Sequence, residues 1–256
     1  SALSFKIFGV NDFAANLMPR IFAALTVMMT ALIALELGLS SGAAIASVLV
    51  LCLTRDFILS SVRGYIEPFL EFFTYFAFWC ALRQFKTKKL WPSFLAGVSI
   101  FAAAFSKGPV ALWPLLFIAG VYVANPVKAP RGKHLLSYTL GFSVFALLFI
   151  FWATVSDHWP YLHRYFFGQV LSSAMQGRGG AQTLEPFYFF KILLQYYWPW
   201  LPLLALAYIA AILETDRTRR LLALLGLGFF GGFSIMKWKF WYYIAPAYPA
   251  FALLIA

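Results

Sequence analysis

An all-α, polytopic transmembrane bundle is the fold class this sequence predicts, and two observations carry the prediction. The 256 residues are 62% hydrophobic and only 11% charged, where a soluble domain carries about 25% charged residues. The apolar residues also fall in runs suited to helices crossing about 30 Å of hydrocarbon, and the mean hydropathy is +0.80. A formal net charge of +11 would suit nucleic acid, but the basic residues sit in loops between the runs. That pattern reads as membrane topology and anionic lipid. No cleavable signal peptide is visible. Residue 1 is Ser and the last apolar run is still going at Ala256, so residues 1–256 are expected to be a core region of a longer chain, cut at both ends.

Taken in order, residues 1–20 are amphipathic, with Phe5, Ile7, Phe8 and Phe13 among Lys6, Asp12 and Arg20, and predict a short interfacial helix. Predicted spans cover residues 21–37, 42–53 and 66–82, followed by the basic cluster Arg83, Lys86, Lys88 and Lys89. The next apolar run, 91–124, has 34 residues and would be about 51 Å long as one helix. It divides better at Ser106-Lys107-Gly108-Pro109, where Gly and Pro supply a turn. Two short spans also keep the clusters 83–89 and 128–133 on one side, as the positive-inside tendency asks. Residues 136–155 form a further span. An aromatic-rich stretch, 156–196, precedes spans at 199–213, 221–235 and 241–256. The total is about nine spans, with interfacial helices on the outer face.

Three short loops carry ten of the twenty Lys and Arg residues and are assigned to the cytoplasm. The other ten, Lys6, Arg20, Arg55, Arg63, Lys107, Arg164, Arg178, Lys191, Lys237 and Lys239, fall on the opposite face. A negatively charged ligand on that face would account for them, as would anionic lipid.

The stretch 54–71 holds Arg55, Asp56, Arg63, Glu67 and Glu71 between two apolar runs. A helix covering Arg63, Glu67 and Glu71 puts all three on one face. A helix starting near Ile66 suits Pro68 in its first turn and still pairs the two glutamates. Ionisable residues entering a span are functional candidates; the simpler alternative is a salt bridge from Arg63 to Glu67. Lys107 at its Gly-Pro hairpin is either a snorkelling lysine or a phosphate site beside exposed backbone N–H groups. Lys237 and Lys239, among Trp238, Trp241, Tyr242 and Tyr243, form either an interfacial anchor or a lipid-phosphate site with a sugar stacked on the rings.

Other patterns carry less. Gly226-Leu-Gly228-Phe-Phe-Gly231 matches the dinucleotide fingerprint literally, but no strand precedes it. Close helix packing through Gly228 and Gly232 explains it better. His158 and His163 lack the spacing of a helical metal pair, and His134 belongs to a basic loop. Cys52 and Cys80 read as packing residues at opposite faces, too far apart for a disulfide.

The ordered set of stretches resembles the membrane core of a GT-C glycosyltransferase of the lipid A aminoarabinose transferase and protein O-mannosyltransferase type. Four stretches carry the likeness: Phe8-Gly-Val-Asn-Asp-Phe-Ala-Ala15, Arg63 to Leu70, Ala104-Phe-Ser-Lys-Gly-Pro-Val-Ala111, and Lys239-Phe-Trp-Tyr-Tyr-Ile-Ala-Pro-Ala-Tyr-Pro-Ala250. Arg178 and Tyr197-Trp-Pro-Trp200 also fit. Each motif is weak alone; together they span nearly the whole chain.

The resemblance implies transfer of a sugar from a polyprenyl-phosphate donor (undecaprenyl- or dolichyl-phosphate sugar) to a lipid A-like or protein acceptor. It places this on the periplasmic face of the cell inner membrane. Lys107, Arg178, Lys239 and Arg63 are the donor-phosphate candidates, and Glu67 and Asp56 the acidic ones. Tyr242, Tyr243 and Lys237 are the substrate-binding candidates. No metal ligand set is assigned and no resident cofactor is expected, a divalent metal staying open. In the family the main acidic residue lies on a first periplasmic loop, which these residues do not include, as they do not include the first helix. Glu67 is therefore expected as a second acid, and this stretch alone is expected to be inactive. Glu67 and Asn16 stand where many members have Asp and Arg. The rival readings are a lipid-linked-sugar flippase, which should show paired repeats with broken helices, and a non-catalytic lipid-binding subunit.

Overall fold

The structure, a computed structural model, describes residues 2–107, 115, 118–120, 132–171, 185, 187–213, 217–235 and 239–256. Every regular element among the described residues is helical. The first helix, α1 (Ala2–Phe8), ends at Gly9, whose φ of +75° turns the chain. Asn11 then caps α2 (Asp12–Glu36), its side chain accepting from the Ala14 N–H, so one of the four orphan amides of the first turn is satisfied. Residues 12–20 thus belong to the long helix rather than to an interfacial one, and the predicted interfacial helix contracts to α1.

Ser40 caps α3 (Ser41–Cys52) in the same way. A bend of 63° then leads into α4 (Arg55–Val62). Next come α5 (Glu67–Thr87) and α6 (Trp91–Lys107), both starting with Pro in the first turn. α7 (Gly132–Val155) is followed by the short α8 (Trp159–His163) and a π-helical turn at Arg164–Leu171. The rest comprises α9 (Tyr188–Tyr196), α10 (Leu201–Leu213), α11 (Arg217–Ile235), a 3₁₀ segment (Trp241–Ala247) and α12 (Tyr248–Ile255).

Two described helices, α2 and α7, are long and apolar enough to cross a membrane, and a third crossing exists if the bent pair α3–α4 is one span. Nine spans therefore go beyond what the described helices establish. The break at Lys107 ends α6 where the Gly-Pro turn was expected; most of the span predicted next, at 110–124, lies outside the described residues. α7 turns Leu147, Leu148, Phe151 and Trp152 outward, as a lipid-facing helix does.

The core gathers α2, α3, α5, α9, α11 and α12 around Ile33, Leu51, Tyr75, Phe229, Phe233, Tyr248 and Phe251. Tyr75 of α5 fixes the far end of the chain. Its hydroxyl donates to the Pro246 carbonyl (2.7 Å) and accepts from the Ala250 N–H (3.0 Å). Those two groups would bond each other in an unbroken α-helix, so the phenol inserts into the ladder at the 3₁₀-to-α junction. Tyr75→Phe leaves both backbone groups buried and unpaired and is expected to cost about 1–3 kcal/mol, read as a lower thermal midpoint in detergent. An unchanged midpoint would contradict it.

Two smaller expectations change. His134 is buried in the first turn of α7, with Nδ1 3.3 Å from Ser93 Oγ, because that turn packs on α6. Cys80 packs as expected, but Cys52 is exposed at the end of α3; both thiols are free. α11 also makes a close approach at Gly226, where an added Cβ would lie 2.6 Å from the Phe251 ring and 2.7 Å from the Tyr208 hydroxyl.

Candidate functional site

The turn between α4 and α5 decides how the charges at 54–71 are used. Arg63 is the C-cap of α4, Gly64 adopts φ +70° and α5 begins at Glu67. The single helix carrying Arg63, Glu67 and Glu71 is thus excluded, and the start near Ile66 is the one adopted. The left-handed φ is what favours glycine at Gly64; a Cβ there would sit 2.8 Å from Asn16 Oδ1, the movable end of that side chain. Arg63 lies over the Trp241 ring at 5.8 Å instead of bridging to Glu67.

Glu67 opens α5 and Lys107 closes α6. The two helices pack side by side in opposite directions, which brings the positive end of one helix dipole beside the negative end of the other. A carboxylate suits the first position and an ammonium the second. Lys107 Nζ donates to Glu67 Oε1 at 2.5 Å, with side-chain exposures of 13% and 1%. The ammonium also stands 3.9 Å from the centre of the Tyr243 ring and 5.6 Å and 5.9 Å from those of Phe233 and Tyr242. A desolvated cation on an aromatic face gains about 2 kcal/mol. Tyr242 in turn stacks on Tyr65 at 4.3 Å. The sequence reading missed Phe233 and Tyr65, for they come from α11 and the α4–α5 turn with no local motif.

Glu71 lies one turn further along α5 and is fully buried. Neither of its carboxyl oxygens has a hydrogen-bond partner among the described residues, and neither does Glu67 Oε2 or Thr74 Oγ1. Among those residues no group of three or more His, Cys, Asp or Glu is arranged to hold a metal ion.

The remaining candidates divide. Asp56 is buried in α4 and accepts from the Tyr248 hydroxyl at 3.0 Å, with Arg55 at 3.5 Å. It thereby ties α4 to α12, while Arg55 also covers the Tyr196 ring at 4.2 Å. Lys239 is buried and donates to the Glu185 carbonyl at 2.9 Å, and Glu185 pairs with Lys191 at 2.8 Å. The structure therefore brings together Glu67, Lys107, Tyr242 and Tyr243. Arg178 and Lys237 lie outside the described residues.

The family model for dolichyl-phosphate-mannose-protein mannosyltransferases matches residues 1–166, a stretch that contains both Glu67 and Lys107. The chain belongs to that family. An uncharacterized protein of Aquifex aeolicus is 29% identical over 259 residues, covering all of this chain and 50% of the relative. The crystal structure of ArnT from Cupriavidus metallidurans bound to undecaprenyl phosphate superposes with a TM-score of 0.78 at 16% identity. That match covers 99% of this chain and 47% of ArnT. The apo form of the same ArnT gives 0.76 at 16% identity, covering 99% and 46%. At such identity the superposition shows a shared fold. The chain spans about half the length of these relatives. Family membership and fold agree with the resemblance read from the ordered motifs: the chain is an all-α membrane protein of the mannosyltransferase family with a fold shared with ArnT.

Proposed function

We propose that the protein is a polyprenyl-phosphate-sugar glycosyltransferase, with its transfer site at the outer membrane face around the Glu67–Lys107 pair. The carrying observation is that pair itself: a buried, charge-assisted contact at the meeting of two helix ends, roofed by tyrosines. Family membership and the fold shared with an ArnT that was crystallised with undecaprenyl phosphate support the same donor chemistry.

In this reading an acceptor oxygen bonds to the sugar's anomeric carbon as the bond from that carbon to the phosphate oxygen breaks, and the polyprenyl phosphate leaves with the electron pair. Lys107 has three N–H donors; one holds Glu67, and the others are available to the phosphate oxygens as charge develops on them. Such placed donors lower the barrier most where water is excluded. Tyr242 and Tyr243 offer ring faces to the sugar. Glu67 is the second acid of the reaction, holding Lys107 in position, and it can take a proton from an acceptor hydroxyl. If the acceptor is a phosphate no base is required. Arg63, beside Trp241, and Lys239 are kept as flanking phosphate contacts, and Arg178 and Lys237 as candidates on the same face. Asp56 supports the site by anchoring α4. The acceptor is a lipid A-like molecule or a protein, and the enzyme faces the periplasmic side of the inner membrane.

The test uses the full-length protein in proteoliposomes with a labelled polyprenyl-phosphate sugar. Label leaving the donor and joining an acceptor lipid or protein is expected. Intact donor crossing the bilayer without cleavage would show a flippase instead.

A further inference from the structure

Glu71 has no part in the proposed transfer reaction, yet it is a conspicuous buried polar group among the described residues. It is fully buried, and both of its oxygens lack a hydrogen-bond partner among the described residues. Lys107, the nearby cation, is already bonded to Glu67 Oε1. Glu67 Oε2, one helical turn away on the same face of α5, also lacks a partner. With both glutamates ionised, the cluster of Glu67, Glu71 and Lys107 would hold one uncompensated negative charge away from water. Such a charge is very costly, and it would repel a donor phosphate arriving at Lys107. The other titratable groups facing Glu71 are Tyr75 and Tyr248. They offer no compensation: the Tyr75 hydroxyl is engaged with Pro246 and Ala250, and the Tyr248 hydroxyl with Asp56.

We infer that Glu71 is a neutral, proton-bearing positioning residue whose carboxyl O–H donates to Glu67 Oε2, completing the hydrogen bonding of Glu67 behind its contact with Lys107. This arrangement has three consequences. The surplus charge disappears, the unpaired oxygen of Glu67 gains a donor, and the cluster no longer repels an anion arriving at Lys107. Glu67 is then held at both oxygens, by an ammonium on one side and a neutral acid on the other. The inference rests on the proposed transfer reaction for its kinetic consequences but not for its spectroscopic one.

A protonated glutamic acid is closely mimicked by glutamine, which keeps the shape, the neutrality and an N–H donor. Methionine keeps the volume and removes the donor. In the full-length protein Glu71→Gln is expected to transfer sugar within about twofold of the wild type, with an unchanged donor KM. Glu71→Met is expected to lose about tenfold or more in kcat, since a buried oxygen of Glu67 is left unsatisfied. Infrared difference spectra between wild type and Glu71→Gln should show the carbonyl stretch of a protonated carboxylic acid, shifting in heavy water and missing from both variants. If Glu71→Gln falls as far as Glu71→Met, or no acid band separates wild type from Glu71→Gln, the inference is overturned. Should the wild type transfer no sugar at all, the proposed function fails, and the infrared band still decides the state of Glu71.

Discussion

Replacing Gly97 or Gly141 with alanine is expected to unseat α6 from α7 and to lower stability by an amount at or beyond the top of about 1–3 kcal/mol, the usual range for overpacking. A Cβ at Gly97 would run into the Tyr138 carbonyl oxygen and lie 2.9 Å from the Phe142 nitrogen. A Cβ at Gly141 would meet the Phe94 carbonyl oxygen and lie 2.9 Å from its carbon. Both obstacles are backbone, which cannot swing aside as a flexible side chain can. The two helices cross with their main chains nearly touching, the device by which small residues hold membrane helices together without a hydrophobic driving force. The consequence reaches the site, since Lys107 is the last residue of α6 and any displacement of that helix moves the ammonium away from Glu67. Thermal unfolding in detergent is therefore expected to fall together with sugar transfer. Because both substitutions act on one crossing, the double variant should fall by less than the sum of the two. Unchanged unfolding in either single variant would contradict the crossing.

Removing Lys107 carries the second large effect. Lys107→Ala leaves the Glu67 carboxylate buried without its counter-ion, and breaking a buried pair from one side costs about 3–5 kcal/mol. Glu67→Gln is expected to be milder in stability, since the ammonium keeps the Tyr243 face and some access to solvent. The double variant Glu67→Gln, Lys107→Met removes both charges, and replacing a buried pair by neutral groups is often close to neutral. It should regain most of the stability while remaining without transfer. That separation distinguishes a pair that performs chemistry from one that only holds two helices. A double variant with wild-type transfer would show the second.

Much of this was legible in the residues because the membrane imposes strong rules on them. Hydrophobic runs placed α2, α3, α5 and α7, and the Gly-Pro pair after Lys107 set the end of α6. What escaped was decided by contacts between distant segments. The pairing of Glu67 with Lys107 depends on α5 and α6 running antiparallel, whereas the nearer Arg63 offered a plausible partner at i−4. The αL turn at Gly64 removed that option, and one glycine four residues before Pro68 was the only local hint. Asp56 looked equivalent to Glu67 as an acid beside a span, yet Tyr248, 192 positions away, claims it. The close approaches at Gly97 and Gly141 lie in runs of small and apolar residues where nothing marks one glycine over another.

A transfer site at Lys107 is tested most directly by single-turnover release of labelled sugar from polyprenyl-phosphate donor, compared between the full-length wild-type protein and Lys107→Ala at equal folded amounts. Release by the wild type and a loss of about a hundredfold or more in the variant is the expected result, in keeping with the removal of a placed donor to developing charge. Equal release from both would contradict a transfer site built on the Glu67–Lys107 pair.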